Sequence, residues 1–99
     1  MGTKKEEYID KMTRQLKEWS SWIDEMESRA EGTAAGMKAG YETRIRELKK
    51  KRDTLSLKLR ELGPVSGDAW STLRTGIDAA RRDLKEAISA VRDKFKKAA

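Results

Sequence analysis

The chain contains no cysteine, no histidine and a single proline among its 99 residues, and aromatics make up 6% of it. Without cysteine there is no disulfide, iron–sulfur ligation, thiolate zinc site or thiol nucleophile. Without histidine the commonest general base and the commonest metal ligand are also missing. No apolar run approaches the ~18 residues that a membrane-spanning helix needs. The opening residues Met1-Gly2-Thr3-Lys4-Lys5-Glu6-Glu7 lack the apolar core of a secretory signal. Glu6 stands where a myristoylation motif has Ser or Thr, so the default expectation is a cytoplasmic protein.

Charge is what the chain has in excess: 40% of residues are charged against 36% apolar, with a net charge of +6. That balance favours thin amphipathic helices with a narrow apolar seam over a globule with a thick core. Residues 1–31 carry six basic and eight acidic groups, residues 32–62 nine and four, and residues 63–99 eight and five. An acidic first third is therefore drawn to two basic ones, although solvated pairs contribute only ~0–1 kcal/mol each.

The proline lies within Leu62-Gly63-Pro64-Val65-Ser66-Gly67, which reads as a helix stop and a turn over 63–67. Ser66 or Asp68 then offers a side-chain acceptor to the first amides of a new helix. Before the turn, Ile9, Met12, Leu16, Trp19, Ile23, Met26 and Ala30 follow alternating spacings of three and four. Ile45, Leu48, Arg52, Leu55, Leu59 and Leu62 do the same, with Arg52 the only charged member. Ala34, Met37 and Tyr41 join the two runs with one four-residue insertion, a shift that relaxes supercoiling without breaking a helix. After the turn, Trp70, Leu73, Ile77, Ala80, Leu84, Ala87, Ile88, Val91 and Phe95 form a third apolar stripe.

The join also carries Gly32, Gly36 and Gly40 at intervals of four. Each glycine costs ~1 kcal/mol against alanine in a helix, which argues for a break over 32–40. Against a loop stand the exact period and the neighbours Ala34, Ala35, Met37 and Ala39. A glycine stripe also lets a second helix approach closely, by analogy with membrane helices. The main expectation is an all-α protein of long antiparallel coiled-coil helices, one over ~4–62 and a shorter one over ~67–97. The alternative is a three-helix bundle with a break at 32–40. Both share one set of contacts, since an antiparallel homodimer of continuous helices is the bundle with its first third exchanged between chains.

Two surfaces stand out. Trp19, Trp22, Ile23 and Met26, with Gly32, Gly36 and Gly40, form a candidate face for self-association or a partner protein. Ordinary bundle core explains the same residues, and the acidic face around them speaks against lipid. Lys49-Lys50-Lys51-Arg52 is a candidate anion-binding run for nucleic acid or an anionic membrane. On a helix, however, these four point ~100° apart, and Glu47 and Asp53 flank them. Asp24, Glu25, Glu27 and Glu31 lack the asparagine, glycine and spacing of a calcium loop, and the glycines lack the Lys-Ser/Thr of a phosphate loop. No serine has a base to activate it. The reading is therefore a non-enzymatic protein with no catalytic residue, cofactor, metal site or small-molecule substrate.

The stretch Ser66-Gly67-Asp68-Ala69-Trp70, continuing through Leu73, Gly76, Ala80 and Asp83-Leu84-Lys85-Glu86-Ala87, carries a resemblance. So do Lys4-Lys5-Glu6-Glu7-Tyr8-Ile9 with Leu16 and Trp19, and Tyr41-Glu42 with Ile45, Glu47-Leu48 and Lys51-Arg52-Asp53. Together they resemble a family of small bacterial coiled-coil stress-response proteins of a cyanobacterial type. The resemblance implies an all-helical cytoplasmic protein linked to stress, acting through helix association and without an active site. The joins of that family are rich in alanine and charge, where this chain has glycines.

Overall fold

The computed structural model describes residues 4–65 and 67–98, apart from the side chains at 95, 97 and 98. Ser66, one of the two expected caps, and the side chain of Phe95 lie outside the described residues. Three α-helices make up the fold: α1 (Lys4–Glu31), α2 (Ala35–Leu62) and α3 (Ala69–Ala98). No strand occurs among the described residues.

The helix expected over 4–62 is interrupted, and the three-helix alternative describes the chain. The break is shorter than the expected 32–40: it takes only residues 32–34, and Ala35 to Gly40 already belong to α2. Its chemistry is local. The Gly32 and Thr33 amides donate to the carbonyls of Arg29 and Ala30 at 3.1 and 3.2 Å, and the Thr33 hydroxyl also donates to the Ala30 carbonyl at 2.6 Å. These three-residue closures satisfy carbonyls that α1 would otherwise leave open. Ala34 is then extended, at φ −59° and ψ 144°, and its carbonyl accepts from Met37 and Lys38 to start α2. The molecule measures 51 × 23 × 18 Å, too short for the ~88 Å of a 59-residue helix at 1.5 Å per residue.

At the second connection the expected stop is present. The Gly63 amide donates to the Arg60 carbonyl at 3.3 Å and the Val65 amide to Leu62 at 3.1 Å. Gly67 adopts φ +69°, a left-handed conformation that costs any other residue ~1–2 kcal/mol. α1 runs antiparallel to α2, because Lys5 at its start reaches the carbonyls of Gly63 and Val65 beyond the end of α2. α3 does too, because Asp83 pairs with Lys51 while Lys94, farther along α3, lies beside Thr43 and Arg44 nearer the start of α2.

The apolar stripes meet in one core. Met12, Ile23, Met26 and Ala30 of α1, Tyr41, Ile45, Leu48, Leu55, Leu59 and Leu62 of α2, and Ile77, Leu84, Ile88 and Val91 of α3 are buried. Ile9, Leu16, Trp19, Trp22, Trp70, Leu73, Ala80 and Ala87 pack around them, half-buried. The stripe fails at the join: Ala34 is exposed and Met37 is 48% exposed, because the reversal at 32–34 turns this stretch away from α1. Tyr8 is buried as well, one position from the expected seam. A helix touching two neighbours buries a wider arc than a two-stranded seam does.

Arg52 holds a seam position between Leu48 and Leu55, with its side chain 23% exposed. Its guanidinium reaches out to the Asp53 carboxylate at 3.1 Å, while its stem covers the core. Arg52→Leu is expected to raise the unfolding free energy by about 1 kcal/mol, read as a higher midpoint in chemical denaturation.

Candidate interaction surface

The expected association face divides in the structure. Ile23 and Met26 lie within the core at 0% and 3% exposure, whereas Trp19 and Trp22 sit half-buried at its edge. Gly32 lies in the connection, and a methyl group there would meet only the Arg29 carbonyl of the preceding helix, at 3.5 Å. At Gly36 and Gly40, both exposed, a methyl group would find nothing within 4 Å. Within the chain, then, no helix approaches closely over these two glycines.

The basic run also separates. Lys49 pairs with Glu27 of α1, Lys51 with Asp83 of α3 at 2.6 Å, and Arg52 with its neighbour Asp53 at 3.1 Å. Lys50 is exposed. Two of the four cations thus tie α2 to the helices on either side, and the run forms no continuous patch. Beside it, a cleft of about 260 Å³ between α2 and α3 is lined by Lys50, Lys51, Thr54, Ala80 and Asp83. A second, lined by Gly40, Thr43, Arg44, Glu47 and Lys94, lies nearer the start of α2.

A cluster joining α1 to α3 escaped the spacing rules. The Tyr8 hydroxyl donates to the Asp78 carboxylate at 2.5 Å, and the Tyr8 and Trp70 rings are 6.5 Å apart at 57°. The Arg74 guanidinium lies 4.9 Å from the Tyr8 ring centre and 5.7 Å from that of Trp70, with Asp78 3.8 Å away. One to two turns along, Arg81 donates to Gln15 and lies 6.0 Å from the Trp19 ring centre. Cation–ring contacts at such distances contribute ~0.5–1 kcal/mol each when exposed. Helical period shows which residues share a face; it does not show which faces of two helices distant in sequence will meet.

Burial, and then the hydrogen bond and charge of Asp78, push the Tyr8 phenol well above its ordinary value of 10.0, against a smaller opposing pull from Arg74 and Arg81. A raised native value favours the neutral phenol, so its contribution is whole below pH ~10 and is lost as pH rises through the native value. Tyr8→Phe is expected to cost about 1 kcal/mol at neutral pH through the lost hydrogen bond. The gap between wild type and variant should close progressively above pH ~10, measured by denaturant titration at each pH.

A cleft of about 210 Å³ where α1 ends and α2 begins is lined by Glu27, Ala30, Glu31, Glu42, Ile45 and Arg46. No metal-binding group of three or more acidic side chains occurs among the described residues. Nor, among them, is any helix long and apolar enough to cross a membrane. No family model, curated protein or solved structure matches the chain.

Proposed function

We propose that the chain is a non-enzymatic coiled-coil interaction protein, serving in a stress response and acting by helix–helix association with a second copy or with a client protein. The observation that carries this reading is the Trp19–Trp22 edge of α1. Two half-buried indoles stand beside the seam by which α1 packs on α2, with only the Arg81 guanidinium of α3 near the Trp19 ring, and aromatic surface at such an edge suits a further amphipathic helix. Stress association rests on the family resemblance of the Ser66-Gly67-Asp68-Ala69-Trp70 stretch and its flanks.

The test combines sedimentation over a wide concentration range with light scattering from a thermally unfolding reporter protein. Mass that grows with concentration, or suppressed reporter aggregation that Trp22→Ser weakens, supports the reading. A monomer at every concentration that leaves the reporter unaffected contradicts it. Binding of nucleic acid or an anionic membrane is the second reading, favoured by the net charge of +8 over residues 32–99. It gains little from the 49–52 run, three of whose cations already have carboxylate partners. Anionic vesicles and duplex DNA at low salt distinguish it, because phosphate binding there weakens steeply as salt rises.

A further inference from the structure

We infer that residues 32–34 form an exchange hinge through which two copies of this chain trade α1, giving an antiparallel dimer in which α1 and α2 run on as one helix. The inference rests on the reading of the chain as one that works by helix association, and it names the partner and the device.

Three observations converge on it. First, the reversal is weakly held. α2 starts with no side-chain cap and no acidic residue in its first turn, and Ala34 is the extended residue. The φ of Ala34, −59°, is already that of a helix, so ψ is the angle at Ala34 that must turn, from 144° to about −42°. The Thr33–Ala30 hydroxyl bond is of a kind that helices also make.

Second, the apolar period does not stop where the helix stops. Ala30, Ala34, Met37, Tyr41 and Ile45 continue the seam, yet Ala34 and Met37 are exposed in the closed chain. The hairpin register explains what would cover them. Glu27 meets Lys49 near one end of the α1–α2 hairpin and Lys5 meets the carbonyls of Gly63 and Val65 at the other, pairs whose numbers sum to 76, 68 and 70 and so bracket 72. An antiparallel dimer in the same register has its two-fold axis near residue 36. Ala34 and Met37 of each chain then meet Met37 and Ala34 of the other, and the stretch left bare by the reversal becomes the centre of the dimer seam.

Third, the long-range contacts that α1 makes among the described residues transfer to a partner. Glu27 with Lys49, Lys5 with the carbonyls of Gly63 and Val65, Tyr8 with Asp78 and Arg81 with Gln15 all become contacts between chains. Exchange therefore keeps the closed chain's interface and adds the central seam. The charge division, net −2 over residues 1–31 against +8 for the rest, favours the foreign α1 as it favours the chain's own.

The glycines sort into hinge and bystanders. Gly32 lies in the break, whereas Gly36 and Gly40 are helical in the closed chain and would be so in the dimer. Gly32→Ala, which has ordinary room for its methyl group, is expected to tighten dimerisation about 30-fold, through two replacements per dimer. Gly36→Ala should leave the dimer constant unchanged. Ala35→Pro is compatible with the closed chain, where Ala35 is the first helical residue and Ala34 has the extended ψ that precedes proline well. Inside a continuous helix it is expected to weaken dimerisation on the order of 10⁴-fold.

The experiment is sedimentation equilibrium on wild type and these three variants, refolded at high protein concentration, with circular dichroism to check that each is helical. Spin labels at Glu27→Cys in one chain and Lys49→Cys in another then report the distance between chains. A dimer strengthened by Gly32→Ala, abolished by Ala35→Pro and placing the two labels within about 20 Å of each other, neighbouring helices lying 8–10 Å apart, is the expected result. Monomers in both wild type and Gly32→Ala overturn the hinge. Association that survives Ala35→Pro overturns it too, while leaving the broader reading of a helix-association protein standing.

Discussion

Leu84→Asp is expected to leave the chain largely unfolded. Leu84 is completely buried in α3, among the side chains where the three stripes meet. A carboxylate there loses its hydration, and an uncompensated buried charge costs ~3–5 kcal/mol in addition to the lost apolar burial. A domain of this length has ~5–15 kcal/mol of stability in total, so the substitution removes much of it. Far-ultraviolet circular dichroism should show helix content falling steeply at room temperature. Lys50→Glu, on an exposed position of α2, should stay within about 0.5 kcal/mol of wild type. The contrast separates a fold held by its seam from one held by its surface charge.

Leu48→Ala has the second largest expected effect, a loss of about 3 kcal/mol. Leu48 is 1% exposed in the middle of α2, the helix that packs against both others. Truncation removes buried apolar contact from the core that α2 shares with its two neighbours, and packed helices collapse only partly into the space. At ~4–8 °C per kcal/mol for a domain of this size, the melting midpoint should drop by about 12–24 °C in a calorimetric scan. A drop of only a few degrees would mean that α2 is not the common element of the core.

Much of this architecture was legible in the residues. The alternating spacings from Met12 to Ala30, Ile45 to Leu62 and Ile77 to Val91 mark faces that are buried. Leu62-Gly63-Pro64 marks the second connection, because proline cannot continue a helix and glycine loses most by staying in one. The first connection was harder to see for a physical reason. Ala34 and Met37 keep the helical period through the break, and Gly36 and Gly40 are tolerated inside α2, so neither pattern nor composition separates 32–34 from 35–40. The local signal lay in Gly32-Thr33, where a threonine hydroxyl closes the last turn of α1.

The candidate surfaces were legible only in part. Trp19 and Trp22 could be placed on one stripe, but whether their rings end inside or at the edge of the core depends on how far α3 reaches across them. At Trp19 that reach is marked by Arg81, which lies 6.0 Å from the ring centre and bonds to Gln15, 66 positions away in the chain. Lys49 and Lys51, which the ~100° step between consecutive helical residues already sets on different faces, pair with opposite neighbours, Glu27 of α1 and Asp83 of α3, and the spacing alone could not name those partners. Tyr8 was displaced from the expected seam in favour of Ile9. Its hydroxyl finds a carboxylate on α3, which lets a polar-tipped ring take a core position.

The central claim, that α1 turns back along α2 at residues 32–34 so that three apolar stripes share one core, is tested most directly by the distance between its two ends. Spin labels at Glu7→Cys and Glu61→Cys, both exposed positions, can be placed in one chain and diluted with unlabelled protein to a concentration at which it is monomeric. Helices packed side by side at 8–10 Å, with label tethers added, give a separation of roughly 20 Å or less. A dominant separation of ~80 Å, the length of 54 helical steps, would contradict the account.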